Sequence, residues 1–221
     1  YSGGNRNNLT IPTTKNGVAL QTLDNGALCY TYLTGTLTLP AKVKFIGSTV
    51  FSLSKLTKVD NGDGILTDGF IYGRNSDGTI NKTYLYSYGR NGRYNVTVPN
   101  TVKIIGPKAF FYSEIASVTI PEGVTSIGEY VFYNCYSVAS ITIPNGVTSI
   151  ARNAFRNCYS LASITIPDGV TSIGNSALAY CYSLSSITIP DGVTSIGSSV
   201  FTYCYSLSSI TIPDSVTSIV S

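Results

Sequence analysis

The chain has 221 residues, of which 43% are hydrophobic and only 11% charged, with a formal net charge of +3. That is ample apolar material for a core and far less charge than a typical domain carries. The weak, scattered charge argues against a nucleic-acid partner, no run of Lys or Arg offers a grip on a membrane surface, and no apolar stretch approaches the roughly 20 residues that cross a bilayer. His and Met are both absent. Without an initial Met, Tyr1-Ser2-Gly3-Gly4 reads as a mature or trimmed N-terminus from which a signal peptide has been removed. The low charge and abundant Tyr, Thr and Asn suit a secreted or cell-surface protein.

Residues 1–8 are polar and read as a loose end. Asn8-Leu9-Thr10-Ile11-Pro12 is the first echo of a phrase that recurs down the chain. The rest of 1–35 departs from the later period, although Cys29-Tyr30 resembles a pair found there, so 1–35 is expected to be an atypical N-terminal cap. Ala27 to Leu39 alternates well enough for strands. Leu37-Thr38-Leu39-Pro40 begins the first clear repeat, with Val43, Ile46, Gly47, Val50 and Phe51 in register and Ser54 where later repeats have Cys.

The segment 60–95 is long for one unit. Two aromatic, β-prone runs, Asp68 to Tyr72 and Lys82 to Tyr88, flank Asn75-Ser76-Asp77-Gly78, which predicts a β-hairpin. The repeat phrase resumes in phase at Val96-Thr97-Val98-Pro99, so the hairpin reads as an insertion within one repeat and 1–221 as one domain. Regular repeats then fill 96–221. Pro121, Pro144, Pro167, Pro190 and Pro213 stand 23 residues apart, while Pro99 to Pro121 is one residue shorter and carries Ser113 in place of Cys. A fixed period of this size means a solenoid. The last turn stops at Ser221 before a Phe could follow, and is expected either to be cut short or to self-associate end to end.

One unit shows why the repeat takes its shape. From Leu184 the apolar positions are Leu184, Ile187, Ile189, Val193, Ile196, Val200, Phe201 and Cys204. Ile187-Thr188-Ile189 predicts a short strand with Thr188 outward. Pro190 ends it by removing a ladder donor, and Asp191-Gly192 makes a turn. Val193 to Ile196 is a second extended piece, Gly197 bends the backbone, and 198–204 has room for one or two turns of helix. A single unit buries too little to fold alone, so stacking must supply the core. Phe132, Phe155 and Phe201 are expected in one column, with Leu178 substituting in the unit between.

The phrase L-x-x-I-x-I-P-x-G-V-T-x-I-G-x-x-A-F-x-x-C-x-S-L at 138–161, 161–184 and 184–207 resembles the leucine-rich repeat class. More closely it is similar to the BspA-like leucine-rich repeats of bacterial surface proteins, and the likeness extends over about residues 36–219. The resemblance implies a right-handed, strand-dominated α/β solenoid with a parallel sheet, free thiols in the Cys column, and adhesion to host matrix proteins or to other cells. Pro-Asp-Gly stands where the wider class has its Asn ladder, so those backbone bonds must be made otherwise.

No catalytic set is visible. Without His there is no Ser-His-Asp or Cys-His arrangement. Asp168, Asp191 and Asp214 repeat as turn residues rather than as a unique carboxylate pair. Cys135, Cys158, Cys181 and Cys204 form one column; they read as small buried thiols, with disulfides between stacked neighbours as the alternative. No C-x-x-C supports a metal site. Asp60-Asn61-Gly62-Asp63-Gly64 lacks the ligand spacing of a calcium loop and reads as a turn. No cofactor is expected.

Two columns are candidates for partner binding. Thr119, Thr142, Thr165, Thr188 and Thr211 are expected to face outward from the sheet, beside Ser140, Ser163, Ser186 and Ser209. Tyr136, Tyr159, Tyr182 and Tyr205 form a second column just before the strands, offering large contact area at little entropic cost. Both columns would also arise simply from repeat duplication. The leading reading is a non-enzymatic module binding a protein ligand through the sheet face. The alternative is a glycan-binding module using the Tyr column with the hairpin aromatics Phe70, Tyr72, Tyr84, Tyr86 and Tyr88.

Overall fold

The computed structural model describes short strands between residues 8 and 66, then 69–75, 79–88 and 95–220. It is a strand-dominated, parallel-sheet solenoid of about six turns, with no helix among the described residues. Two compact units divide the chain, Tyr1–Gly92 and Arg93–Ser221.

In the first unit, Asn8–Thr10 pairs in parallel with Thr34–Thr38, setting Leu9 beside Leu37 and Thr10 beside Thr38. The early echo of the repeat phrase is therefore a strand in register with the first clear repeat. Thr34–Thr38 pairs in parallel with Lys55–Asp60 in turn, placing Leu37 beside Val59. The predicted hairpin is present: Phe70–Arg74 runs antiparallel to Ile80–Tyr88. Its closing end is held by the Asn75 amide donating to the Thr79 carbonyl at 2.9 Å. Cys29, Ser54 and residues 61–64 lie outside the described residues.

The second unit builds each turn of the solenoid from two short extended pieces. Asn95–Thr97 pairs in parallel with Ser117–Thr119, and Ser140–Thr142 with Ser163–Thr165. Further along each repeat, Ile104–Ile105 pairs with Ser126–Ile127, and Ser149–Ile150, Ser172–Ile173, Ser195–Ile196 and Ser218–Ile219 form one parallel ladder. Identical residues face one another across it, Ile150 to Ile173 to Ile196, because the 23-residue period matches the strand spacing step for step. Between the two pieces the Pro carbonyl accepts from the Val amide three residues on, at Pro144–Val147, Pro167–Val170 and Pro190–Val193 alike, each 3.0 Å.

Two expectations are corrected. The strand predicted at 187–189 does not pair: the first ladder ends at Ser163–Thr165, and only the second continues to the last repeats. The in-out pattern nevertheless survives there, with Thr188 exposed and Ile189 buried. The short helix expected after the bend glycine is instead a run of overlapping turns. In the repeat at 174–184, amides of Ala177, Ala179, Cys181 and Leu184 each donate to the carbonyl three residues back. The intervening amides of Ser176, Leu178 and Tyr180 donate to Ser198, Val200 and Thr202 of the next repeat, at 2.8, 3.2 and 2.7 Å. This alternation satisfies the backbone that an Asn ladder would otherwise serve. It requires left-handed backbone at two positions per repeat, such as Ser176 (φ 54°) and Tyr180 (φ 63°), which no helix admits.

The core is a set of columns. Phe110, Phe132 and Phe155 stack with centroids 5.0 and 5.6 Å apart and planes within 17° and 10°. Leu178 is fully buried in the same column, whereas Phe201 is half-buried.

Candidate binding surface

The strand piece of each repeat turns its middle residue inward, since a strand alternates faces. Ile141 and Ile164 are buried, and the flanking Ser140, Thr142, Ser163 and Thr165 are exposed. The whole predicted column Thr119, Thr142, Thr165, Thr188 and Thr211 is exposed, including the two members beyond the last paired strand. A second Thr column, one turn further on, provides the contrast. There Thr171, Thr194 and Thr217 donate their hydroxyls to the carbonyls of Thr148, Thr171 and Thr194 at 3.2–3.3 Å. The hydroxyls of Thr142, Thr165 and Thr188 make no such bond to a described residue. One column is therefore engaged in holding the stack, and the other is left to solvent.

The Tyr column is a continuous stack. Ring centroids of Tyr136 and Tyr159 are 4.7 Å apart, of Tyr159 and Tyr182 4.7 Å, and of Tyr182 and Tyr205 5.4 Å, with planes 29°, 10° and 24° from parallel. Tyr112 closes one end edge-on to Tyr136. Each interior ring thus has its faces covered by its neighbours and presents its rim. Burial, with Tyr112 and Tyr159 close by, pushes the Tyr136 phenol up to about 12, so this ring stays neutral at physiological pH. Tyr205, at the other end, is 73% exposed.

In the hairpin, Phe70, Tyr72 and Tyr88 are buried, and Phe70 packs on Tyr88 at 5.2 Å. Only Tyr84 and Tyr86 remain half-buried, 4.9 Å apart. The hairpin aromatics are therefore mostly interior groups.

The four cysteines of the regular repeats are free and buried. Each thiol donates to a carbonyl of the preceding repeat: Cys135 to Phe110 at 3.0 Å, Cys158 to Phe132 at 3.2 Å, Cys181 to Phe155 at 3.3 Å and Cys204 to Leu178 at 3.2 Å. Burial pushes all four thiols up, most strongly Cys135, Cys158 and Cys181. They are protonated hydrogen-bond donors with no nucleophilic character. The sequence indicated their burial but not their partners. The short repeat shows what is lost without them: the Ser113 hydroxyl is buried and unpaired.

Sequence reasoning also missed a cluster of cations lying on aromatic rings, at Lys108, Arg152 and Arg156. Its members come from three different columns of the turn run, so no single periodicity announces it.

No group of three or more His, Cys, Asp and Glu side chains among the described residues could hold a metal ion. No helix among them is long and apolar enough to cross a membrane.

The family model of the BspA type leucine rich repeat region matches residues 3–67 and 103–221, in six copies. No curated protein matches the chain. Among solved structures, a leucine rich cell surface protein from Faecalibacterium prausnitzii is 29% identical with a TM-score of 0.69, over 92% of this chain and 59% of that one. The pneumococcal vaccine antigen PcpA is 25% identical with a TM-score of 0.66, over 94% of this chain and 56% of that one. A leucine-rich repeat protein from Eubacterium ventriosum, 24% identical with a TM-score of 0.64 over 97% of this chain, shares the fold. The chain spans less than two thirds of the length of each.

Proposed function

We propose, from the premise that this chain belongs to the BspA type leucine-rich repeat family, that it is a non-enzymatic module, secreted or displayed at a bacterial cell surface, which adheres to a protein ligand such as a host matrix protein. The ligand contacts the strand face through Thr119, Thr142, Thr165, Thr188 and Thr211, with the rim of the Tyr column alongside. The observation that carries this reading is the difference between the two Thr columns: one set of hydroxyls is tied to the backbone of the stack, and the other is exposed and unengaged. Family membership, with a cell-surface protein among the similar structures, supports the location.

The alternative, glycan binding through the Tyr column, is supported less well. Sugar rings need an open aromatic face, and the interior rings of this stack cover one another. Only Tyr205 offers such a face.

The test is binding to immobilised extracellular matrix proteins by the Thr165→Lys/Thr188→Lys double variant, with Tyr159→Ala/Tyr182→Ala in parallel. The reading expects the Lys pair to abolish binding while melting as the parent does, because both positions are exposed. Unchanged matrix binding by the Lys pair would refute the strand face as the site. Loss of sugar binding in the Tyr pair alone would favour the alternative.

A further inference from the structure

Residues 100–221 contain only four cations, Lys103, Lys108, Arg152 and Arg156, against six carboxylates. Three of the four gather in the turn run. The Lys108 ammonium lies over the Phe111 and Tyr130 rings at 5.7 and 5.6 Å, and the Arg152 guanidinium reaches the same Tyr130 ring at 5.9 Å. Arg156 lies over Tyr180 at 4.9 Å. The rings beneath are themselves ordered, Phe111 stacking on Tyr133 at 5.2 Å. Most of the carboxylates stand elsewhere in the repeat: Glu122, Asp168, Asp191 and Asp214 share the turn column after the Pro. Glu129 is the carboxylate that borders the cluster in sequence register, and no ion pair joins it to a cation among the described residues.

Two features say that the positive charge is presented rather than consumed. A cation lying on a ring face is attracted by the ring but keeps its outer N–H groups undonated. In addition, Arg152 is exposed and Lys108 and Arg156 are half-buried, so packing does not enclose the charges, although the buried Arg156 Nε itself is out of a ligand's reach. The Arg152 and Lys108 columns continue into the following repeats as Asn175, Ser176, Ser198 and Ser199, whose amide and hydroxyl groups suit sugar hydroxyls, beside the exposed ring of Tyr203.

We propose that Lys108, Arg152 and Arg156 form a site for a sulfated polysaccharide, with the cations on the sulfates and the neighbouring Asn and Ser groups on the sugar hydroxyls. The site lies in the turn run and meets the Tyr column where Tyr180 packs edge-on to Tyr182 at 6.3 Å.

Neighbouring repeats supply substitutions that the fold already accepts. Lys108→Asn installs the residue found at the equivalent left-handed position Asn153 (φ 53°). Arg152→Asn and Arg156→Ala copy Asn175 and Ala179 of the next repeat. Lys103→Thr, copying Thr125, removes the fourth cation as a single-charge control, to be compared with each single substitution of the cluster as well as with the triple variant. The probe is heparin, titrated calorimetrically at low and at physiological salt, with fully desulfated heparin and polyglutamate as comparators. The full chain should bind heparin with an affinity that falls as salt rises. The triple variant should bind roughly tenfold more weakly, three partly exposed charge contacts each contributing a few-fold. Lys103→Thr and desulfated heparin locate the effect: the first should bind as the parent does, and the second should not bind. Equal binding by the triple variant, equal weakening by Lys103→Thr, or polyglutamate binding as tightly as heparin would each overturn the assignment.

Discussion

The thiol column makes a quantitative prediction about alkaline stability. In the unfolded chain a Cys ionises with a pKa of about 8.5. In the folded chain Cys135, Cys158 and Cys181 are wholly enclosed and held well above that, so the folded state keeps protons that the unfolded state releases. A raised pKa contributes stability that is fully present below the unfolded value and declines as pH rises beyond it. Each such thiol loses about 1.4 kcal/mol per pH unit in that range, so three lose about 4 kcal/mol per unit. Against a total domain stability of roughly 5–15 kcal/mol, this is enough to unfold the protein within a few pH units above 9. The assay is urea denaturation followed by circular dichroism at pH 8, 9.5 and 10.5, on the parent and on Cys158→Ser. The raised Tyr136 phenol also lowers stability as pH rises, but equally in both proteins. The expected result is a slope of stability against pH that is shallower in the variant by about 1.4 kcal/mol per unit. Identical slopes would mean that Cys158 ionises alike in both states, and would refute the enclosed, hydrogen-bonded thiol described above.

Three further outcomes are expected. Gly174→Ala would place a Cβ 2.6 Å from the Arg152 amide nitrogen and 2.9 Å from the Ala151 carbonyl carbon, so it should destabilise by about 1–3 kcal/mol in thermal denaturation. Ser113→Cys restores the column residue where a buried hydroxyl now goes unpaired, and should raise stability by about 1 kcal/mol in the same measurement. Tyr182→Ala removes a ring stacked on both sides and should cost about 1–2 kcal/mol by urea denaturation while leaving the far-UV spectrum unchanged.

The 23-residue period carried most of the architecture in plain view. It placed Ile150, Ile173 and Ile196 in one ladder, Thr142 and Thr165 on the exposed face, and the thiols in one buried column. What it could not convey was backbone handedness. Ser176, Tyr180, Ser199 and Tyr203 are ordinary residues in left-handed conformations, so the turn run looked like a short helix. Nor could pattern alone distinguish an aromatic ring that offers its face from one that offers only its rim. That distinction rests on the 4.7 Å spacing of the Tyr stack, and on the burial of Phe70, Tyr72 and Tyr88 in the hairpin. The strand predicted at 187–189 failed for a related reason: identical wording in consecutive repeats does not ensure that both ladders close to the same extent. The Ala at 151, where the neighbouring repeats have the bend Gly, has no explanation in the structure.

The left-handed positions have a consequence for how such arrays can be improved. Among the described residues, ten other than glycine sit at φ between 53° and 63°, two in every turn run from Lys108 to Tyr203. Left-handed backbone costs an L-residue with a Cβ roughly 1 kcal/mol, and Gly or Asn less. Because the array copies itself, that penalty is copied with it. Asn at Ser176 and Ser199, as the array already has at Asn153, would recover part of that penalty in each repeat changed and raise thermal tolerance, without removing a ring from any aromatic stack.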